Sequence, residues 1–406
     1  EMTEAILSDC NSCEEGDNLY RLAQELKIQE RKVIDFSTPV NPLGVSKKVK
    51  AEIRKHLKYL HNYPDPDAKR LRRRLAQQHG VGHESILCGN GSTELIYLIT
   101  RTIKPRKVLI PAPTFSGYER AVIQQSAISN QQSEEKEQLI TYLMLNKENG
   151  FVINPDRFIQ AIEGKFLDPP SPLFTKEGQG GINNSSLVTH HSSLNFDIVF
   201  LCNPNNPTGG LIKREDVKRV ADTARKMKCY LIVDEAFIDF SPDESVIKDI
   251  ADNPYLIVLR TMAHFYALPG LRIGYGIFHH QLIESLKEYK EPYTVNSLAQ
   301  RAVVMALKDK VYRGETFRLI NEEKRFLEKN FKKIGIKFFP SAANFYLLKI
   351  DGANRIYDRL KRKCILVRDC SSFRGLDNTY LRVAVKSHKE NAILIKELTS
   401  ILQSLG

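Results

Sequence analysis

The sequence predicts an α/β protein in which a mostly parallel sheet is flanked by helices and a smaller α+β domain follows at the C-terminal end. Three observations predict it. From about residue 47 onward helical and strand patterns alternate, as in βαβ units. The chain is 406 residues long, 42% hydrophobic and 27% charged, with 22 Gly and 18 Pro, which is ordinary globular composition. A long helical stretch at 297–333 then marks a change of layout, after which the elements become short.

The elements follow in order. Residues 46–60 read as a helix behind a Ser46 cap, and 67–78 as another. Residues 85–88 are a short buried strand, and 89–103 turn into a helix. A strand at 108–110, a helix at 115–126, a strand at 140–143 and a short helix at 156–162 come next. Residues 197–201 form a strand running into a turn, 213–226 are helical, and 230–234 are a strand with an acid at its C-terminal end. Another strand lies at 255–259. Beyond 297–333, the segments 345–349, 353–363, 365–368, 380–384 and 390–405 suit a small domain. The expected organisation is an N-terminal arm over 1–46 that joins the small domain, a large domain over 47–285 and a small domain over 286–406. Residues 165–194, rich in Pro, Gly, Ser and Asn and without a period, read as a flexible surface insertion in which His190 and His191 are bystanders.

Sixty Lys and Arg against 48 Asp and Glu give a net charge of +12, a bias toward anionic partners. The basic residues are spread through the chain, and their densest run, Lys69 to Arg74, lies in a helical pattern and reads as a solvated face, so nucleic-acid binding is not expected. No apolar stretch approaches a membrane span, and Met2 to Asn11 lacks a basic region followed by an apolar one; a soluble, cytoplasmic protein is the expectation. Seven cysteines, scattered and odd in number, imply no disulfide framework, and the lone Cys10/Cys13 pair without a second pair is weak evidence for metal, so none is expected.

Four motifs sit at strand ends, where open α/β sheets gather ligands. Gly89-Asn90-Gly91-Ser92-Thr93-Glu94 is a Gly-rich turn opening a helix, whose N–H groups and hydroxyls suit a phosphate. Asn203-Pro204-Asn205-Asn206-Pro207-Thr208-Gly209 follows a strand directly. Asp234-Glu235-Ala236-Phe237 ends a strand and offers an acid that could pair with a protonated pyridine nitrogen. The run Arg260 to Tyr275 carries Thr261 and, eleven residues on, Arg272, which could share one phosphate.

In this order the motifs resemble those of the fold-type I pyridoxal-phosphate enzymes, in the branch that holds histidinol-phosphate aminotransferase and the threonine-phosphate decarboxylase of cobalamin biosynthesis. The decarboxylase is the nearer likeness, through Asp35-Phe36-Ser37, Asn41-Pro42-Leu43-Gly44, Tyr63-Pro64-Asp65-Pro66, Phe265-Tyr266-Ala267-Leu268-Pro269-Gly270 and Val367-Arg368-Asp369-Cys370. The resemblance implies a homodimer acting on a small phospho-amino acid. It implies that Ser92, Thr93, Thr261 and Arg272 hold the cofactor phosphate, with Tyr63 reaching it from a partner subunit. Phe115 would stack on the pyridine ring, Asn206 would bond its phenolic oxygen and Asp234 its nitrogen. Arg368 and Arg382, aided by Asn41, would bind the anionic groups of the substrate.

Two departures from the resemblance bear on chemistry. His264 stands where the family carries its Schiff-base lysine, with Ala263 where a hydroxyl is usual, so pyridoxal phosphate would be held non-covalently. An imidazole can accept or donate a proton near neutral pH but cannot form the lysine's covalent link. At the arm, Glu15-Gly16-Asp17-Asn18 replaces a His-Gly-Gly-Asn segment, and two carboxylates there would repel a phosphate. Three readings of His264 stay open: a substitution introduced to trap a complex, a natural catalyst with histidine as its base, or a pseudoenzyme that has lost chemistry, kept a binding or assembly role and binds the cofactor non-covalently or not at all. The enzyme expectation is a decarboxylase-like lyase, with a histidinol-phosphate-type aminotransferase as the alternative.

Overall fold

The computed structural model describes residues 18–128, 139–165 and 195–404. Cys10, Cys13, Glu15, Asp17 and the 166–194 part of the insertion, with His190 and His191, lie outside the described residues. Helix α1 (Leu19–Glu25) begins at Asn18, whose side chain accepts the Arg21 N–H, and strand β1 (Ile34–Asp35) follows. Helix α2 (Lys47–His56) is capped by Ser46, and α3 (Lys69–His79) buries Leu71 and Leu75, which leaves its basic run toward solvent.

The large sheet is built from β2 (Ile86–Gly89), β3 (Val108–Ala112), β4 (Ile140–Met144), β5 (Ile198–Cys202), β6 (Tyr230–Asp234), β7 (Leu256–Thr261) and β8 (Gly274–Ile277). Their order across the sheet is β2-β8-β7-β6-β5-β3-β4, and every pairing is parallel except those of β8 with β2 and β7. Helices α4 (Ser92–Ile103), α5 (Gly117–Ile128), α6 (Pro155–Ile162), α7 (Arg214–Lys226) and α8 (His280–Tyr289) flank it. Alternate strand residues feed two apolar cores: Leu109, Val199, Leu231 and Val258 on one face, Ile110, Phe200, Ile232 and Ile257 on the other. Burial on both faces is why these strands are apolar throughout.

The stretch at 297–333 is two helices rather than one, α9 (Ser297–Ala306) and α10 (Lys310–Lys333), because the Asp309 side chain accepts the Tyr312 N–H and restarts the helix. Helix α9 packs on α2 and α3, and Ala299, Ala302 and Val303 join the large-sheet core, so that core runs past the expected 285/286 boundary. Beyond it lie β9 (Lys337–Phe338), β10 (Phe345–Lys349), α11 (Ala353–Arg362), β11 (Ile365–Leu366), β12 (Arg368–Asp369), β13 (Tyr380–Ala384) and α12 (His388–Gln403). They form an antiparallel sheet ordered β12-β13-β10-β9, with a core of Phe331, Tyr346, Ile356 and Leu398. The described part of the arm joins this domain: β1 pairs with β11, and Leu22, Ala23 and Val33 pack on Leu366.

Strand β8, absent from the sequence reading, is decided by packing. A Cβ at Gly274 would stand 2.3 Å from the Ser92 nitrogen, so only glycine lets β8 lie against the start of α4. Gly274→Ala is expected to destabilise the fold by about 1–3 kcal/mol, the usual cost of overpacking, measured by urea unfolding. A stability unchanged from the parent would show that this contact is not tight.

Candidate active site

Strands β5, β6 and β7 end in register, Cys202 beside Asp234 and Asp234 beside Leu259, so the segments that leave them open on one side of the sheet. In the Asn-rich turn after β5, two of the three asparagines are structural. Asn203 bridges to both backbone groups of the 212 position, and Asn205 donates to Pro113 O at 2.9 Å and accepts from the Thr114 hydroxyl at 2.7 Å. Asn206 is left to face the cleft, where its side-chain oxygen accepts from Arg382 Nη1.

Asp234, at the end of β6, is buried, and the Tyr118 hydroxyl donates to its Oδ2 at 2.7 Å. Tyr118 is itself fixed by stacking on Phe200 with ring centroids 4.6 Å apart. Burial pushes the Asp234 carboxyl up to about 6, against the pull of the Tyr118 and Ala236 hydrogen bonds. It therefore stays ionised at neutral pH and protonates just below.

His264 follows β7 and lies in the cleft with its ring stacked on Phe237, centroids 4.1 Å apart. Its Nδ1 is 3.0 Å from Pro39 O. A carbonyl only accepts, so Nδ1 carries the hydrogen and Nε2 keeps its lone pair. Burial, with the Arg382 and Arg272 charges behind it, lowers the imidazole to about 4 despite the Pro39 bond, and the ring is neutral at physiological pH. Asn41 explains how this segment is held: its N–H donates to His264 O at 2.9 Å, and its side-chain amide donates to Phe265 O and to Thr316 Oγ1, each at 2.8 Å. Asn41 is 2% exposed and does not line the cleft, so it staples the His264 segment where the resemblance implied a substrate contact.

The four residues expected around a phosphate are neighbours. Thr261 pairs with Gly274, which abuts Ser92 N, and Arg272 lies over Gly91 so closely that a Cβ there would be 2.5 Å from Nη2. The first N–H groups of α4, with Thr93 in that turn, lack a side-chain cap, an arrangement suited to an anion. A cleft of about 320 Å³ brings together Phe115, Asn206, His264, Arg368 and Arg382. Arg382 also donates to Ser37 O at 2.6 Å, and the Arg368 guanidinium lies over Phe373. Thr93 and Arg272 line a neighbouring cavity, and Tyr63, 85% exposed, lines a third beside Tyr293. Sequence reasoning missed Tyr118, Phe237 and the Pro39 carbonyl; for Tyr118 a signal existed, since it follows Phe115 by three residues in one helical pattern. Among the described residues no group of His, Cys, Asp and Glu could hold a metal, and no helix is long and apolar enough to cross a membrane.

The aminotransferase class I and II family matches residues 31–129 and 183–398. The chain belongs to this family. It is 32% identical to the threonine-phosphate decarboxylase of Salmonella typhimurium over 395 residues, 96% of this chain and 97% of the relative. The histidinol-phosphate aminotransferase of Clostridium acetobutylicum superposes with a TM-score of 0.77 at 28% identity, over 92% of this chain and 100% of that one. The Sinorhizobium meliloti histidinol-phosphate aminotransferase, solved in complex with pyridoxal 5'-phosphate, has a TM-score of 0.78 at 19% identity, covering 96% of each chain. The architecture is thus the fold-type I pyridoxal-phosphate fold.

Whether these residues suit the family's cofactor is a question of donors and acceptors. The uncapped start of α4 under Arg272 suits its phosphate, and the buried Asp234, ionised at neutral pH, suits a protonated ring nitrogen. Among the described residues that line the His264 cleft there is no lysine to make the covalent link. The residues therefore fit the phosphate and the ring nitrogen of pyridoxal phosphate. Since Asp234 loses its charge as pH falls through about 6, affinity for pyridoxal phosphate is expected to drop between pH 7.5 and 5.5. Asp234→Asn should weaken binding at pH 7.5 by about 1.5–3 kcal/mol and flatten the profile down to the part due to the cofactor's own phosphate. Fluorescence titration checks both, and identical profiles in the two proteins would remove Asp234 from the cofactor site.

Proposed function

We propose that the chain is a threonine-phosphate-decarboxylase-like lyase that binds pyridoxal phosphate non-covalently and takes a small O-phospho amino acid in the His264 cleft. The observation that carries this reading is the pairing of two guanidiniums, Arg368 and Arg382, with a neutral imidazole in one cleft. The likeness to the Salmonella decarboxylase along almost the whole chain supports it.

Ser92, Thr93, Thr261 and Arg272 would hold the cofactor phosphate, Phe115 its ring face, Asn206 its phenolic oxygen and Asp234 its ring nitrogen. When bound, the cofactor supplies an electron sink for the pair left on the substrate α-carbon as a bond to it breaks. Arg382 and Arg368 orient the substrate by its carboxylate and phosphate, Arg382 exchanging its bond to Asn206 for the ligand. Loss of carbon dioxide asks for no proton abstraction, only for the return of one proton to the α-carbon. His264 offers a lone pair at Nε2, and with its basicity lowered to about 4 it is a poor proton source at neutral pH, so the returning proton has to come from water. The same low basicity favours a second reading, binding without turnover. Transamination fits less well, because it calls for one protein group that both shuttles a proton and makes the covalent link to the cofactor, and an imidazole cannot make that link. Two copies of the chain complete the site, with Tyr63 of each reaching the phosphate held by the other; the exposed Leu57, Tyr59 and Leu60 beside it support such a contact.

Two measurements test the proposal. Pyridoxal phosphate should bind stoichiometrically, leave on dialysis and resist fixation to the protein by borohydride, whereas His264→Lys should retain it covalently after reduction. Borohydride fixation to the parent chain would overturn non-covalent binding. Arg382→Ala and Arg368→Ala should each weaken O-phosphothreonine binding by about 2–5 kcal/mol in calorimetry, the loss expected on removing one partner of a buried charge pair. Affinities equal to the parent's would move the substrate elsewhere.

A further inference from the structure

We propose that Arg374 is a positioning residue for the anion-binding side of the cleft, acting through Arg368. The residues between β12 and β13 belong to the small domain by chain order, yet they stand on the large one. Cys370, Phe373 and Leu376 are buried in the same apolar core as Leu143 and Leu145 beside β4. Arg374 locks this stretch at its outer edge. Its Nη2 is 2.9 Å from Glu119 Oε1 on α5, and its guanidinium lies 4.0 Å from the ring centroid of Tyr142 on β4. Tyr142 closes the triangle, since burial together with the charge of the Glu119 carboxylate keeps its phenol protonated. Gly375, next in the chain, takes φ +85, a backbone conformation that lets the turn fold back over Met144.

The lock is transmitted over a short path. Phe373, the residue before Arg374, lines the cleft, and the Arg368 guanidinium sits 5.5 Å from its ring centroid. Arg368 Nη2 also reaches the Ser372 hydroxyl at 3.4 Å. Arg368 is thus oriented by two residues of a turn whose place is set by α5 and β4; Phe115 and Ser116, which also line the cleft, directly precede α5. The two guanidiniums of the cleft are held differently. Arg382 is buried against Asn206 and Ser37, while Arg368 depends on the turn that Arg374 fastens.

This inference rests on the reading of the cleft as an anion site, and the experiment separates the two. Arg374 is half-exposed, so its pair with Glu119 and its stack on Tyr142 are each of modest strength. Hydrogen exchange of the amides at 370–376, measured without ligand, should quicken roughly fivefold in Arg374→Ala and in Glu119→Gln. O-phosphothreonine affinity should fall by a similar factor in both, recover most of the way in the charge-swapped Arg374→Glu/Glu119→Arg double variant, and show no further loss when Arg374→Ala is added to Arg368→Ala. Unchanged exchange in Arg374→Ala, or full additivity with Arg368→Ala, would overturn the proposal. A parent chain that fails to bind O-phosphothreonine would instead refute the proposed substrate, with the exchange data still deciding whether Arg374 fastens the turn.

Discussion

The guanidinium of Arg260, buried between Glu235 and Asp239, ties together the two strand ends on which the site is built. Arg260 directly precedes Thr261, and Glu235 directly follows Asp234. A shift of β7 against β6 would therefore break ion pairs from which water is excluded, at a cost of about 3–5 kcal/mol for one partner lost. Glu235 is further held by the Ser245 hydroxyl at 2.7 Å and the Val246 N–H at 2.8 Å, so its lone pairs are met on several sides. The network does not line the cleft; Asp239, Ser245 and Arg260 border a separate cavity, and their charged groups are occupied with one another. Its effect on chemistry is indirect: it fixes where Asp234 and the Thr261–His264 segment begin.

At the end of that segment the surroundings suit an imidazole. Pro39 O takes the Nδ1 hydrogen, Asn344 donates to the same carbonyl at 2.9 Å, and Phe237 supplies a flat surface for the ring. The Asn41 staple holds both neighbouring carbonyls, of His264 and Phe265. The side chain is thus oriented by packing and by a single tautomer, as a working proton acceptor must be. The position offers no nucleophilic amine; it offers a lone pair of fixed direction at Nε2.

Much of this was legible in the sequence because it lies in short-range pattern. Strand β6 reads directly from Tyr230 to Asp234, since a short apolar run ended by an acid at its C-terminal end has few other meanings. Strand β8 does not read, because Gly274 and Gly276 erase the β-propensity that marks a strand; the close approach of Ser92 N, which demands glycine, is visible only in three dimensions. The break between α9 and α10 has a local signal in Asp309, outweighed in a pattern reading by the good helix formers on either side. Asn41 shows the limit most clearly. Its residue type suits a ligand contact, but its donors are claimed by Phe265 and by Thr316, 275 positions away, and no spacing rule reaches that far.

The charges of the cleft bind its two tasks together. On the proposed reading Arg382 in the cleft, with Arg272 in the cavity beside it, draws anions in, and the same cations, after burial, hold the His264 imidazole well below its ordinary basicity. An anionic ligand that pairs with them cancels part of that push, so the imidazole accepts a proton more readily with the cleft filled than with it empty. Burial acts in the opposite sense, because a ligand that displaces water deepens the desolvation that is the larger cause of the shift. Whether histidine serves as a base here therefore turns on which change is greater. A doubly anionic ligand maximises the first, whereas a neutral ligand of equal size displaces the same water and supplies only the second. The electrostatics thus favour activation by a ligand carrying both a carboxylate and a phosphate over activation by either group alone.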